Sequence, residues 1–192
     1  MCSDNPDPCV ICDEQSDRCL NEYCSLTPLA CRGAAKSLLV IKNKDNDAND
    51  RMSWKFLQGA PTSFADFSDP RTSARYTFCL YAGTTATLVQ EMSVPASATL
   101  WTASNDNRGY KYFDPPAVQD GAQKIILKAS TSNRTKVLVK GHGVNLGDPI
   151  NAGALRLPVT AQLVNMDSGA CWAGTYSSPI KNSPDQFKAW QH

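Results

Sequence analysis

The chain has 192 residues, a formal net charge of +1 and 42% apolar residues. This length suits one hydrophobic core, or one core with a small satellite, and no stretch approaches the eighteen or more apolar residues of a membrane-spanning helix. The near-neutral charge excludes an overall positive field that would recruit nucleic acid or an anionic membrane.

Eight cysteines give the strongest compositional signal. Six of them fall within the first 31 residues, a segment too short to order itself by burying apolar surface, so their density predicts disulfide bonds. The cysteines are Cys2, Cys9, Cys12, Cys19, Cys24, Cys31, Cys79 and Cys171. Disulfides form in oxidising compartments, and we therefore expect a protein that is secreted or lies on the cell surface.

Two further interpretations concern these cysteines. Zinc is an alternative to disulfides in the N-terminal segment, because Cys9, Cys12, Cys19 and Cys24 supply four thiolates, although no histidine lies near them and the spacing is long. A bridge between Cys79 and Cys171 would close a long loop and stabilise the fold by about 4 kcal/mol.

The opening MCSDNPD lacks the basic and apolar regions of a signal peptide, so we expect a mature or truncated chain.

The composition changes after Cys31, which predicts two parts: a disulfide-knotted segment over residues 1–34 and a second domain over residues 35–192. From residue 37 onward, short runs of alternating apolar and polar residues are separated by Gly, Pro, Asn and Asp. This pattern is typical of an all-β fold, and we predict an antiparallel, jelly-roll-like β-sandwich. The candidate strands cover residues 37–42, 51–57, 75–81, 86–92, 98–101, 110–113, 123–129, 135–141, 159–165 and 170–176.

An Asp/Asn-rich loop, KNKDNDAND, follows the first candidate strand. Asp45, Asp47, Asn49 and Asp50 offer the oxygen ligands that Ca²⁺ prefers, packed closely enough for several to reach one ion. The same residue types also form ordinary turns, because they tolerate left-handed backbone angles and hydrogen-bond their own main chain. An EF-hand is excluded, since Asp50 occupies its glycine position and Phe56 its glutamate position. Calcium and a plain polar turn both remain open.

Alternation within the strands predicts which side chains face the core. Tyr76, Phe78 and Leu80 share one face of their strand, which places Cys79 on the opposite face.

Aromatic residues also cluster in WTASNDNRGYKYF, where Trp101, Tyr110, Tyr112 and Phe113 surround a polar turn. Such side chains stack on sugar rings in carbohydrate-binding proteins, and the alternative is that they pack in the core.

The segment QKIILKASTSNRTKVLVKG predicts a hairpin, because two runs of equal length flank a turn containing Ser and Asn. On its solvent side, Lys124, Lys128, Lys136 and Lys140 form a basic ladder. The simpler interpretation is a solvated strand face, since lysines commonly protect exposed strands. The functional interpretation is a docking face for an acidic partner or an anionic polysaccharide.

Catalytic motifs are scarce. Only His142 and His192 could supply an imidazole base, and His142 lies in a GHG sequence typical of a loop. Asp66, Asp69 and Asp114 could serve a glycosidase as paired carboxylates, but they lie in ordinary turn sequences. We therefore predict that the protein is not an enzyme.

From Lys36 onward, the order of landmarks resembles a β-sandwich domain of secreted and cell-surface proteins of large-genome Gram-negative bacteria. These landmarks include SLLVIKNKDNDANDRMSWKFLQGAPT, YTFCLYAG, GYKYFD, KVLVKGHGVNL, LPVTAQLVN and ACWAGTY. Such domains often follow cysteine-rich segments, and the resemblance implies no activity and no catalytic residues.

Together these features predict an extracellular structural or adhesive protein that binds other surface proteins or polysaccharide. The alternative is a calcium-dependent carbohydrate-binding module. Residues 1–34 carry a net charge of −4 and residues 121–192 a net charge of +5, so we also expect salt-sensitive attraction between the two ends, within one molecule or in self-assembly. Nucleic acid is not expected as a partner.

Overall fold

A computed structural model describes residues 12–13, 18–19, 23–106, 108–147 and 154–192. The described residues form fourteen strands and two short 3-10 turns, at Asp47–Asn49 and Ala65–Phe67. The strands are β1 (Cys12–Asp13), β2 (Arg18–Cys19), β3 (Ala34–Lys42), β4 (Arg51–Gly59), β5 (Tyr76–Ala82), β6 (Thr87–Val94), β7 (Trp101–Ala103), β8 (Gly109–Phe113), β9 (Ala122–Lys128), β10 (Thr135–His142), β11 (Val159–Asn165), β12 (Cys171–Tyr176), β13 (Lys181–Ser183) and β14 (Gln186–Gln191).

Two antiparallel sheets build the molecule. The larger sheet has eight strands in the order β13-β14-β3-β4-β10-β9-β8-β7, and the smaller has four in the order β12-β11-β5-β6. β1 and β2 pair as a separate two-stranded ribbon. The predicted all-β sandwich is thus confirmed, and among the described residues no helix has the length and apolar character needed to cross a membrane.

The hydrophobic core lies between the two sheets. Trp54 on β4 contacts Phe78 on β5 with ring centroids 5.7 Å apart, and its indole N–H donates to the hydroxyl of Tyr176 on β12 at 2.9 Å. These side chains are inward because alternate residues of a strand face the same side, and Trp54 and Phe78 are completely buried. Burial of several aromatic rings supplies a large part of the apolar area that stabilises the sandwich.

Nine of the ten candidate strands correspond to observed strands over most of their length. The exception is residues 98–101, which form a turn up to the start of β7 at Trp101. β13 and β14 were not predicted from the sequence. β14 nevertheless pairs with β3 along six residues, and Phe187 and Ala189 on it are completely buried.

Two disulfides hold the described part of the N-terminal segment against the smaller sheet. Cys24 is bonded to Cys79 and Cys31 to Cys171. The predicted bridge between Cys79 and Cys171 is therefore wrong, although both residues lie on the outer face of that sheet. Cys24 is not available as a zinc ligand because its sulfur is already bonded. Cys2, Cys9 and the side chains of Cys12 and Cys19 lie outside the described residues.

Residues 23–31, which we call the strap, cover the outer face of the four-stranded sheet. The carboxylate of Glu91 accepts hydrogen bonds from the backbone N–H groups of Tyr23 and Cys24, the latter at 2.6 Å. The Gln162 amide accepts from the N–H of Leu29 at 3.0 Å and donates to its carbonyl at 2.7 Å. The side chains of Glu91 and Gln162 are thus buried and satisfied by the strap backbone, as buried polar groups require.

Candidate functional site

The outer face of the eight-stranded sheet differs from the strapped face because its side chains include many exposed cations. The strands of this sheet contain eleven basic residues, and none of their described residues is acidic. The basic residues are Lys36, Lys42, Arg51, Lys55, Lys111, Lys124, Lys128, Lys136, Lys140, Lys181 and Lys188. Since the whole chain has 19 Lys and Arg residues and a net charge of only +1, more than half of its positive charge is concentrated on one surface.

Strand register brings six of these lysines together around an apolar centre. Leu138 on β10 lies opposite Ile126 on β9, and both side chains are half-buried. The six surrounding lysines, which we call the lysine ring, are Lys55, Lys111, Lys124, Lys128, Lys136 and Lys140.

The lysine ring has four members on the hairpin and one on each neighbouring strand. Along the hairpin, Lys140 faces Lys124 on one side of the apolar pair and Lys136 faces Lys128 on the other. Across the sheet, Lys55 on β4 is the partner of Leu138, and Lys111 on β8 is the partner of Ile126. With about 3.4 Å per residue and about 4.8 Å between strands, the backbone positions of the ring span roughly 14 Å in each direction.

Like charges that face each other directly across a ladder are destabilising. The two opposed lysine pairs of the hairpin therefore cost folding free energy, and the ordinary role of lysine at sheet edges does not explain them, because β9 and β10 lie inside the sheet. Among the described residues, one ion pair involves the ring: the Asp106 carboxylate lies 3.6 Å from the Lys128 ammonium. A bound polyanion would relieve the remaining repulsion.

Two aromatic residues also lie on the basic face. Phe113 is 47% exposed, faces Lys124 across the β8–β9 ladder, and has the Lys111 ammonium 5.0 Å from its ring centroid. Trp190 lies at the other side of the sheet, with the Lys36 ammonium 5.0 Å from its ring centroid. Phe113 thus presents an exposed apolar ring next to a cation, whereas Trp190 is only partly exposed. Binding sites commonly combine an apolar surface with a few placed charged groups.

The local fold positions Phe113 through a glycine. Gly109 begins β8 opposite Lys128, where an added Cβ would lie 1.8 Å from the Leu127 carbonyl oxygen. Only glycine permits this close backbone approach, and alternation along β8 from this position places Lys111 and Phe113 on the outer face. A shallow pocket of about 510 Å³ adjoins the ring and is lined in part by Arg51, Lys140 and His142.

The Asp/Asn loop forms a compact turn. The Asn46 side chain accepts a hydrogen bond from the N–H of Ala48 at 3.0 Å, and the buried Asp50 carboxylate accepts one from the N–H of Lys44 at 2.8 Å. Desolvation, together with the nearby Asp47, raises the pKa of Asp50 despite this hydrogen bond. Within the described ranges, no three His, Cys, Asp or Glu side chains are grouped to hold a metal. Calcium binding by Asp45, Asp47, Asn49 and Asp50 stays a prediction beside its alternative, a plain polar turn, which these hydrogen bonds favour.

The aromatic residues proposed to stack on sugar, Trp101, Tyr110 and Tyr112, are core residues. Their exposed fractions are only 1%, 5% and 0%, so their ring faces are not accessible to a sugar, and that assignment is wrong. The physical reason is alternation along β8. Tyr110 and Tyr112 face inward, whereas the next residue after each, Lys111 and Phe113, faces outward. This alternation could have identified Phe113 from the sequence.

The three carboxylates considered for glycosidase chemistry have local structural partners. Asp66 accepts a hydrogen bond from the N–H of Ser63 and forms an ion pair with Arg32 at 3.2 Å. Although burial opposes it, this environment lowers the pKa of Asp66. Asp69 pairs with Arg71 at 2.7 Å, and Asp114 accepts from the N–H of Val118 at 2.9 Å.

Among the described residues, no hydrogen bond or ion pair joins either histidine to these three carboxylates. The His142 imidazole lies 3.1 Å from the carbonyl oxygen of Pro115, and His192 stacks on Trp190 with ring centroids 5.9 Å apart.

Comparison with protein-family models, with curated proteins and with solved structures found no match. The resemblance to a bacterial surface domain therefore stays a prediction, and the functional argument depends on the geometry of the basic face.

Proposed function

We propose that this protein is an extracellular structural or adhesive protein that binds anionic polymers on the outer face of its eight-stranded sheet. The observation that carries the proposal is the segregation of charge, with eleven basic residues and no acidic one on the described strands of this sheet. A cationic surface attracts a polymer that carries many anionic groups, because neutralising those groups releases the counterions that surround the polymer.

The strap supports this assignment by occupying the opposite side of the molecule. Cys24 and Cys31 fasten it to the smaller sheet, while the strands of the larger sheet keep exposed lysines. Disulfides of this kind are typical of proteins in oxidising surroundings, where acidic polysaccharides of the cell surface and matrix are natural anionic partners. Adhesion requires binding alone, so the local structural roles of Asp66, Asp69 and Asp114 are compatible with the proposal.

Retention on immobilised polygalacturonate, with neutral dextran as the control matrix, tests the proposal. We expect the protein to be retained on polygalacturonate at low salt and released as salt rises, and not to be retained on dextran. The double variant Lys124→Gln/Lys140→Gln should elute at clearly lower salt. Arg71, which pairs with Asp69, and Arg156, whose carbonyl accepts from the N–H of Gly83 just after β5 of the smaller sheet, lie outside the strands of the face. Arg71→Gln/Arg156→Gln makes the same change in net charge and should elute like the wild type. Absence of retention, or equal effects of both pairs, would refute the proposal.

A further inference from the structure

The exposed aromatic ring beside the lysine ring suggests what kind of anionic polymer the face selects. We infer that Phe113 and the lysine ring form a subsite for an acidic sugar unit, a uronate or a sulfated pyranose, within a polysaccharide. This inference depends on the proposed function and refines it by naming the ligand. It explains why the Phe113 side chain is exposed next to the lysine ring.

Phe113 has the geometry of a stacking platform. Its side chain is 47% exposed, and it lies directly opposite Lys124 in the β8–β9 ladder. Lys111, two residues earlier on the same strand, holds its ammonium 5.0 Å from the ring centroid. A pyranose ring has an apolar C–H face that packs on an aromatic ring, while its carboxylate or sulfate extends from the rim toward cations. One acidic sugar could therefore contact the ring and both lysines together.

The apolar pair Ile126 and Leu138 extends the subsite. These two side chains are half-buried at the centre of the lysine ring, with Ile126 paired to Lys111 and Leu138 paired to Lys55. A neighbouring sugar unit would rest on this aliphatic surface while its anionic group reached another lysine. Apolar walls with a few placed polar groups are typical of sites that recognise a ligand by shape as well as charge.

Other polyanions fit the face less well. Single-stranded nucleic acids use successive aromatic platforms. On the described strands of this face, the second aromatic residue, Trp190 on β14, lies five strand spacings from β8, or roughly 24 Å. A membrane surface would require several protruding apolar side chains, whereas Phe113 is the single exposed large apolar residue on the described strands of this sheet and Ile126 and Leu138 are half-buried. The acidic sugar polymer therefore matches the observed surface best.

Titration calorimetry of the full chain with two probes tests this inference. Oligogalacturonate carries both sugar rings and carboxylates, whereas inorganic polyphosphate carries charge without a ring. We expect Phe113→Thr to weaken oligogalacturonate binding about three- to tenfold, the range expected for a stacking contact, and to leave polyphosphate binding unchanged. Phe64→Thr, which removes an exposed aromatic ring elsewhere, should change neither affinity. Lys124→Gln/Lys140→Gln should weaken binding of both probes.

The outcomes separate this inference from the proposed function. If Phe113→Thr leaves both affinities unchanged, or lowers both equally, the sugar subsite is refuted while binding of anionic polymers stands. If the wild type binds neither probe, the proposed function itself fails. Tighter binding of oligodeoxythymidylate than of oligogalacturonate, lost in Phe113→Thr, would identify a base-stacking site and overturn the assignment to sugar. Thermal denaturation of each variant checks that it is folded.

Discussion

Reversing the charge of Lys124 should make the protein more stable while weakening its binding of polyanions. Lys124 lies directly opposite Lys140 in the β9–β10 ladder, and both side chains are on the outer face. The substitution Lys124→Glu replaces a like-charge pair with an ion pair. Cross-strand pairs contribute about 0.2–1 kcal/mol each, and like pairs cost similar amounts, so we expect a total gain of about 1 kcal/mol.

The gain should appear as a rise in melting temperature. For a protein of this size, about 1 kcal/mol corresponds to about 2–4 °C, which differential scanning calorimetry measures readily. Because the lysines are near solvent, the difference from the wild type should be largest at about 0.01 M salt and small at 1 M, where the screening length is about 3 Å. The same variant should elute from polygalacturonate at lower salt.

Lys55→Glu is the matched control. It belongs to the same lysine ring, but its direct cross-strand partners are the apolar residues Leu38 and Leu138. It should therefore weaken retention on polygalacturonate as Lys124→Glu does, but with a smaller gain in stability. If Lys124→Glu melts below the wild type at low salt, or gains no more than Lys55→Glu, the opposed lysine pair is not a source of strain and the electrostatic argument is refuted.

Three further predictions concern a disulfide of the strap, the ion pair between Asp66 and Arg32, and the Asp/Asn loop. Replacing the Cys31–Cys171 bridge by serines should lower stability by up to about 5 kcal/mol, the chain entropy of its long loop, and an unchanged melting temperature would show that the bridge adds nothing. The lowered pKa of Asp66 means that its ion pair with Arg32 stabilises the fold above the unfolded value of 3.8 and is lost as pH falls through the folded pKa. Asp66→Asn should therefore reduce the acid dependence of the melting temperature, and an identical pH profile would contradict this. At the Asp/Asn loop, we expect the same calorimetric trace with calcium and with chelator, because the loop is satisfied as a turn; a calcium-induced rise that disappears in Asp47→Asn would instead establish the ion site.

A hydrogen bond from Tyr81 also stabilises the attachment of the strap to the smaller sheet. Burial, followed by the nearby Glu91 carboxylate, raises the pKa of Tyr81 to about 12. The Tyr81 hydroxyl donates to the carbonyl of Ser25 at 2.8 Å. This bond adds to the disulfides and to the contacts of Glu91 and Gln162. The strap is thus attached by covalent, charged and neutral interactions at several points.

The sequence by itself determined the local elements of the fold. Strict alternation predicted the strands around Trp54 and Phe78, because a half-buried strand exposes every second residue to water. The sequence also predicted the β9–β10 hairpin, because its two runs have the same length and a turn sequence lies between them. The lysines predicted to face outward lie opposite one another in the observed register. The same alternation placed Cys79 on the outer face of its sheet.

Only the tertiary structure decided which residues from distant parts of the chain meet. Cys79 and Cys171 share a face, but the strap supplies a nearer partner to each, and no spacing in the sequence distinguishes these pairings. The lysine ring likewise combines β4, β8 and the β9–β10 hairpin, which become neighbours through long-range strand pairing. Periodicity reports how a side chain is oriented on its own strand, whereas the order of strands depends on the packing of the whole core, and for that reason the basic face could not be assembled from the sequence.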